Sequence, residues 1–140
     1  MGYWLFVFGT LLLFLGAYVV CIFREHQVRS VRFGRRSIRV PTGELEFDHA
    51  VDEITTAIAT DAGVDADKIY ITDRPVEDLG YGIDRFGAED QKIDLELILQ
   101  GQFANTSFSI SDGTSISDLA HQLLKQRREL SDASLTKEEG

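Results

Sequence analysis

From Tyr3 to Phe23 the chain holds no charged side chain (YWLFVFGTLLLFLGAYVVCIF), and this 21-residue run is its strongest pattern. As a helix it would rise about 31 Å, close to the thickness of a bilayer's hydrocarbon core. Tyr3 and Trp4 stand at one end, where amphipathic rings favour the headgroup level. The run therefore predicts a transmembrane helix over 3–23. It lacks the basic start, the shorter apolar stretch and the small-residue cleavage site of a removed signal peptide. Bulky Val19 and Val20 before Cys21 stand against a lipoprotein-type site. Gly9 and Gly16 lie seven apart rather than four, so the span carries no close-packing dimer motif.

Beyond the span the pattern changes several times. Val31, Phe33, Ile38 and Val40 alternate in part, which predicts a short strand or an interfacial segment inside a juxtamembrane linker, 24–43. Pro41-Thr42-Gly43 marks the boundary of a domain over 44–128. Asp48 is suited to cap a helix with Val51, Ile54, Ile58 and Ala62 on its apolar face, and Gly63 to end it. The connection from Val64 to about Ala88, with Pro75, Gly80, Gly82 and Gly87, is long enough to imply function or an extra short helix.

Lys92 to Phe103 is ambiguous. Ile93, Leu95, Leu97 and Leu99 alternate with Asp94, Glu96 and Ile98, a strand by period. As a helix the same residues spread over more than one face, as in a helix central to a small bundle. Ser107 to Ile110 alternates as well, so an α+β fold with strands in 92–110 stays open beside an all-α one. The last element is plain: Ile116, Leu119, Ala120, Leu123 and Leu124 make an amphipathic helix. Ser115 and Asp118 open it as a capping box, and Lys125, Arg127 and Arg128 complement its C-terminal dipole. Residues 129–140 hold little apolar surface and read as a disordered tail.

Charge divides the chain again. Residues 24–40 carry six arginines against one glutamate: Arg24, Arg29, Arg32, Arg35, Arg36 and Arg39, all following the span. The positive-inside rule then puts the C-terminal domain in the cytoplasm, on an inner or plasma membrane, in a single-pass topology. The arginines serve as stop signal and topology determinant, or also hold the chain against anionic headgroups. Residues 41–140 carry eight Lys and Arg against 22 Asp and Glu, a net of −14, which argues against nucleic acid as a partner. One cysteine excludes a disulfide framework and a multi-cysteine metal site.

Other chemistry is thin. Gly80-Tyr81-Gly82 has no Gly-Lys-Ser/Thr ending, so it makes no phosphate cradle. Asp61, Asp65 and Asp67 miss the spacing of a calcium loop. His49 and His121 are read as surface or helix-packing residues. Asn105-Thr106-Ser107 matches a glycosylation acceptor, but a cytoplasmic domain does not meet that machinery.

The order of elements is similar to that of the acyl carrier protein family. Ala57 to Ile69 (AIATDAGVDADKI) resembles the end of the family's first helix and its exit into the long loop. Val76-Glu77-Asp78-Leu79-Gly80 resembles the approach to its modification site, Leu95 to Phe103 the second helix, and Ser115 to Leu124 the fourth. The resemblance covers roughly residues 48–127. It implies a small all-α four-helix bundle and so favours the helical reading of 90–102. The family's Asp-Leu-Gly run leads to an Asp-Ser-Leu triplet whose serine carries phosphopantetheine. Here Gly82-Ile83-Asp84 follows instead, and counting back from Phe103 puts Glu89 at the serine position. No serine occurs from residue 38 to 106, and a phosphodiester needs a hydroxyl. Ser115, in Asp112-Gly113-Thr114-Ser115-Ile116, superficially resembles the motif but reads better as a helix N-cap.

No cofactor, metal or catalytic residue is therefore expected. The resemblance implies that the acidic residues around the loop, Glu77, Asp78, Asp84, Glu89, Asp90, Asp94 and Glu96, meet a basic patch on a protein partner. The reading is a membrane-anchored, non-enzymatic, carrier-like interaction module. Two rivals stand beside it: an active carrier in lipid or acyl metabolism with atypical attachment, and an α+β accessory subunit of a membrane complex.

Overall fold

The computed structural model describes residues 2–79 and 88–138. Among them every regular element is a helix: α1 (Gly2–Gly34), α2 (Leu45–Ala62), a 3-10 turn (Ala66–Lys68), α3 (Pro75–Asp78), α4 (Ala88–Gln102) and α5 (Ile116–Glu138). The all-α expectation holds, and the α+β alternative falls because 92–110 contains no strand.

α1 is 33 residues long, about 50 Å at 1.5 Å per residue. It is long and apolar enough to cross a bilayer, with a mean hydropathy of 2.6 in its most apolar stretch, none of which is buried. The helix does not stop where the apolar run stops. It continues through the first arginines to Gly34, so the expected strand or interfacial segment over 31–40 is helix and then irregular chain. Its far end is in the domain core: Phe33 is 1% exposed and packs with residues of α2, α4 and α5.

α2 begins earlier than Asp48 suggested, with Glu44 at the N-cap position and Leu45 the first helical residue. Asp48 still secures this end. From one turn inside, its carboxylate accepts the Thr42 and Gly43 N–H groups at 2.9 and 3.0 Å and the Thr42 hydroxyl at 2.7 Å. Those bonds hold its pKa below the ordinary carboxylate value, the Thr42 N–H contributing most. The buried face includes Val51, Ile54, Ile58 and Ala62 as the spacing required. Gly63 ends the helix at φ 67°, donating to Ala59 O at 2.9 Å, in the left-handed conformation that glycine adopts without strain.

α4 resolves the ambiguous alternation. Of the four residues in period two, Leu95 and Leu99 are fully buried, while Ile93 and Leu97 are 50% and 59% exposed. Leu95, Leu99 and Phe103 are spaced at i, i+4 and i+8, one face of a helix. The alternation at 107–110 has another origin. Ser107 and Ser109 run along α5, and each exchanges both backbone groups with a glutamine amide, Gln126 and Gln122 respectively, at 2.5–3.0 Å. Phe108 between them turns into the core. Two glutamines at i and i+4 thus satisfy the backbone of an extended segment that has no neighbouring strand.

α5 opens with the expected capping box. Ser115 Oγ accepts the Asp118 N–H at 3.1 Å, and Asp118 Oδ2 accepts the Ser115 N–H at 2.9 Å. The next two N–H groups, of Ile116 and Ser117, go to the Asp73 and Ile71 carbonyls, both at 2.9 Å. Ile116, Leu119, Ala120 and Leu123 are fully buried. Residues 129–138, expected as a disordered tail, continue the helix with exposed side chains through Lys137. The Lys125–Glu129 pair at i, i+4, with side-chain atoms 4.0 Å apart, supports this helical continuation.

Because Phe33 belongs to the core of a domain that follows it in sequence, Phe33→Ala should lower the unfolding free energy by about 3–5 kcal/mol. The check is a denaturant melt of the full chain in detergent, followed by circular dichroism. An unchanged midpoint would show that the end of α1 does not contribute to the core.

Candidate functional site

Where α1 meets the domain, the six arginines separate into two groups. Arg36 and Arg39, expected in the membrane-proximal stretch, are bonded to residues of the domain. The Arg36 guanidinium lies 4.2 Å from the centroid of the Phe33 ring and 4.8 Å from that of Tyr70. Its Nη1 donates to Asp73 Oδ2 at 2.5 Å. Asp73 is 6% exposed, and the same oxygen accepts the Tyr70 N–H at 2.7 Å. A carboxylate this deep needs a cation and hydrogen bonds together, and it has both.

Arg39 makes a second clamp. Its side chain donates to the carbonyls of Ile69 at 2.7 Å and Ala66 at 3.1 Å, and pairs with Asp52 on α2. Its backbone N–H donates to Asp67 O at 2.7 Å. Two further bonds complete the junction. Lys68 Nζ donates to Gly34 O at 2.8 Å, putting a cation at the C-terminal end of α1, and Tyr70 Oη bonds Ser37 O at 3.0 Å. The linker over 24–43 is therefore tied to the domain along its second half.

Arg24, Arg32 and Arg35 are exposed and Arg29 is half-buried. Of these, Arg32 has an acidic neighbour among the described residues, Asp78 at 3.9 Å.

Four of the acidic candidates have side chains among the described residues. Glu77 pairs with Arg74 at 2.6 Å, and Asp78 accepts the Arg74 N–H at 2.7 Å while lying near Arg32. Asp94 is exposed and Glu96 half-exposed on α4. Glu89 and Asp90 lie in the first turn of α4. Asp84 is outside the described residues. Ser115, the weak attachment candidate, donates its hydroxyl to Asp118 at 2.8 Å within the capping box. That box lowers the Asp118 pKa, chiefly through the Ser115 N–H. Among the described residues no group of three His, Cys, Asp or Glu side chains converges as a metal site would require.

His49 and His121 have neighbours that account for them. His121 packs its ring 4.9 Å from that of Phe47, and His49 Nδ1 lies 2.6 Å from Glu53. Glu53 also receives both Arg127 Nη groups, at 3.0 and 2.6 Å, which joins α2 to α5. This pairing, led by the Arg127 hydrogen bonds, holds the Glu53 pKa below the ordinary value and raises that of Arg127.

Compared with known proteins, the chain has no match: no family model, no curated protein and no solved structure corresponds to it.

Two predictions follow from this geometry. Arg36→Gln leaves the Asp73 carboxylate buried without its cation and should cost about 3–5 kcal/mol, read as a shifted denaturant midpoint. Arg35→Gln, one residue earlier and exposed, should leave the midpoint unchanged. The Glu53 pair behaves as a depressed carboxylate: its contribution is complete above the unfolded-state pKa and disappears as pH falls through the lower folded-state value. Glu53→Gln should therefore cost about 0.5–1 kcal/mol at pH 7, the range for a partly exposed pair. The difference from wild type should begin to shrink as pH falls below the unfolded-state value of about 4.3 and close only below the lower folded-state value. A gap that is constant from pH 7 to pH 3 would exclude the ion pair as its source.

Proposed function

We propose that the chain is a single-pass protein of an inner or plasma membrane whose helical domain stands on the cytoplasmic side and works without catalysis, as a carrier-like interaction module. The observation that carries this reading is the continuity of α1. One unbroken helix holds the whole apolar run and ends inside the domain core at Phe33. A helix built this way holds the domain at the bilayer surface and raises its effective concentration toward partners there.

Three further features support the reading. The arginines follow the apolar run, and the positive-inside rule then orients the domain toward the cytoplasm. The helices over 45–138 come in an order compatible with the acyl carrier resemblance, with a short α3 in the long connection. The net of −14 over 41–140 suits a basic protein partner approached by electrostatic steering, with Asp94 and Glu96 as exposed contributors.

The test combines topology and mass. The full chain with a C-terminal epitope should lose that epitope to protease in inside-out vesicles and keep it in right-side-out ones. Its intact mass should stay unchanged after production beside a permissive phosphopantetheinyl transferase. Epitope loss from right-side-out vesicles would reverse the orientation, and a mass increase of one pantetheine arm would replace the interaction module with an active carrier.

A further inference from the structure

We propose that Arg24, Arg32 and Arg35 form a basic groove that binds the headgroups of anionic phospholipids, with Val28 and Val31 as its apolar floor. This site depends on the reading of α1 as a membrane anchor. Phe23, Arg24, Val28, Val31, Arg32 and Arg35 line one open groove along α1, directly beyond the apolar run. The spacing explains the grouping: Arg24, Val28, Val31 and Arg35 stand at i, i+4, i+7 and i+11, one stripe of a helix. Arg29 lies about 140° around the helix from Arg24 and is not part of it.

Direction favours the bilayer. Cα–Cβ bonds in a helix tilt toward its N-terminus, so long side chains on the stretch after a span reach back toward the membrane. From Arg24 to Arg35 the helix rises about 16 Å, and extended arginines shorten that distance to the headgroups. Guanidinium groups match phosphate oxygens through paired N–H donors, and Val28 and Val31, both exposed, offer contact to the glycerol and upper acyl chain.

Charge sets the selectivity. A zwitterionic headgroup brings its own cation to the site, whereas an anionic one does not. The domain's −14 repels an anionic surface, and the groove puts opposite charge between the two. Arg36 and Arg39 are committed to Asp73 and Asp52, so they do not dilute the assignment. Arg32 also approaches Asp78 at 3.9 Å, a distance long enough for phosphate to compete.

The experiment is native mass spectrometry of the full chain in nonionic detergent, titrated with phosphatidylglycerol or phosphatidylcholine. Wild type should retain phosphatidylglycerol at least about tenfold more tightly. Arg24→Gln, Arg32→Gln and Arg35→Gln combined should lose most of that preference, since each basic residue near an anionic surface contributes roughly fivefold. Lysine at the same three positions should restore part of it, by charge without paired donors. Arg29→Gln should change binding by less than about twofold, because a residue outside the groove contributes only long-range charge. Equal retention of the two lipids by wild type would overturn the site. So would an Arg29→Gln loss as large as that from a groove arginine, which would mean diffuse charge rather than a groove. Failure of the anchor reading itself shows separately, as release of wild-type chain from membranes by alkaline extraction.

Discussion

The structure depends on how a buried carboxylate is neutralised. Asp73 lies inside the domain, beside the first turn of α5, and its backbone carbonyl receives the Ile116 N–H. Its side chain needs a cation, and among the described residues no helix of the domain supplies one. Arg36 does, from the segment that leaves α1, with its guanidinium between the Phe33 and Tyr70 rings. The apolar contact and the ion pair come from positions three residues apart, so they form or fail together. The core of α2, α4 and α5 is thus completed by residues that composition assigns to the membrane-proximal stretch.

This explains what could and could not be read along the chain. The apolar run, the α2 stripe, Gly63 and the Ser115 cap were legible because each is a local rule: a period, a left-handed glycine, a side chain reaching its own helix's N–H groups. The partners of Arg36 and Arg39 were not legible because an arginine after a span looks the same whether it meets lipid or a carboxylate far along the chain. The distinguishing partners, Asp52 and Asp73, carry no local signature. A weak sign was present in Phe33, an aromatic residue among arginines, but partial alternation suggested a strand instead. The period at 93–99 misled for another reason. Ile93 and Leu97 are apolar yet exposed, so hydrophobicity overstated the buried set. The acidic candidates were chosen by charge and sequence proximity, and neither reveals that Arg74 sits among them to pair with Glu77 and Asp78.

The arginines also show how one residue type serves two physical ends within a short stretch. Where the chain leaves the helix, planar guanidinium groups stack on rings and collect several carbonyl oxygens, as Arg39 does with Ala66 and Ile69. Where the chain is still helical and exposed, the same groups remain solvated. Lysine at positions 36 and 39 would offer a point charge without the fork or the flat face. The stretch is therefore arginine-rich for reasons beyond topology, since the positive-inside rule alone would be met by lysine.

The manner of tethering constrains what the domain can do. A flexible linker of the same length would let the domain sample a hemisphere of orientations above the membrane. Here the chain from Phe23 to Phe33 is helical, and ten residues rise about 15 Å, so on the proposed anchor reading the first core side chain would lie little more than a headgroup layer above the hydrocarbon edge. The Arg36 and Arg39 clamps then oppose rotation of the domain about that helix. On the proposed reading of α1 as an anchor, a partner would meet the domain at nearly fixed height and with a fixed face presented. Such a constraint reduces the orientational freedom lost on binding, which lets a small, polar contact area suffice. It also makes surface charge matter more, because the negative domain is held within reach of whatever potential the lipid sets.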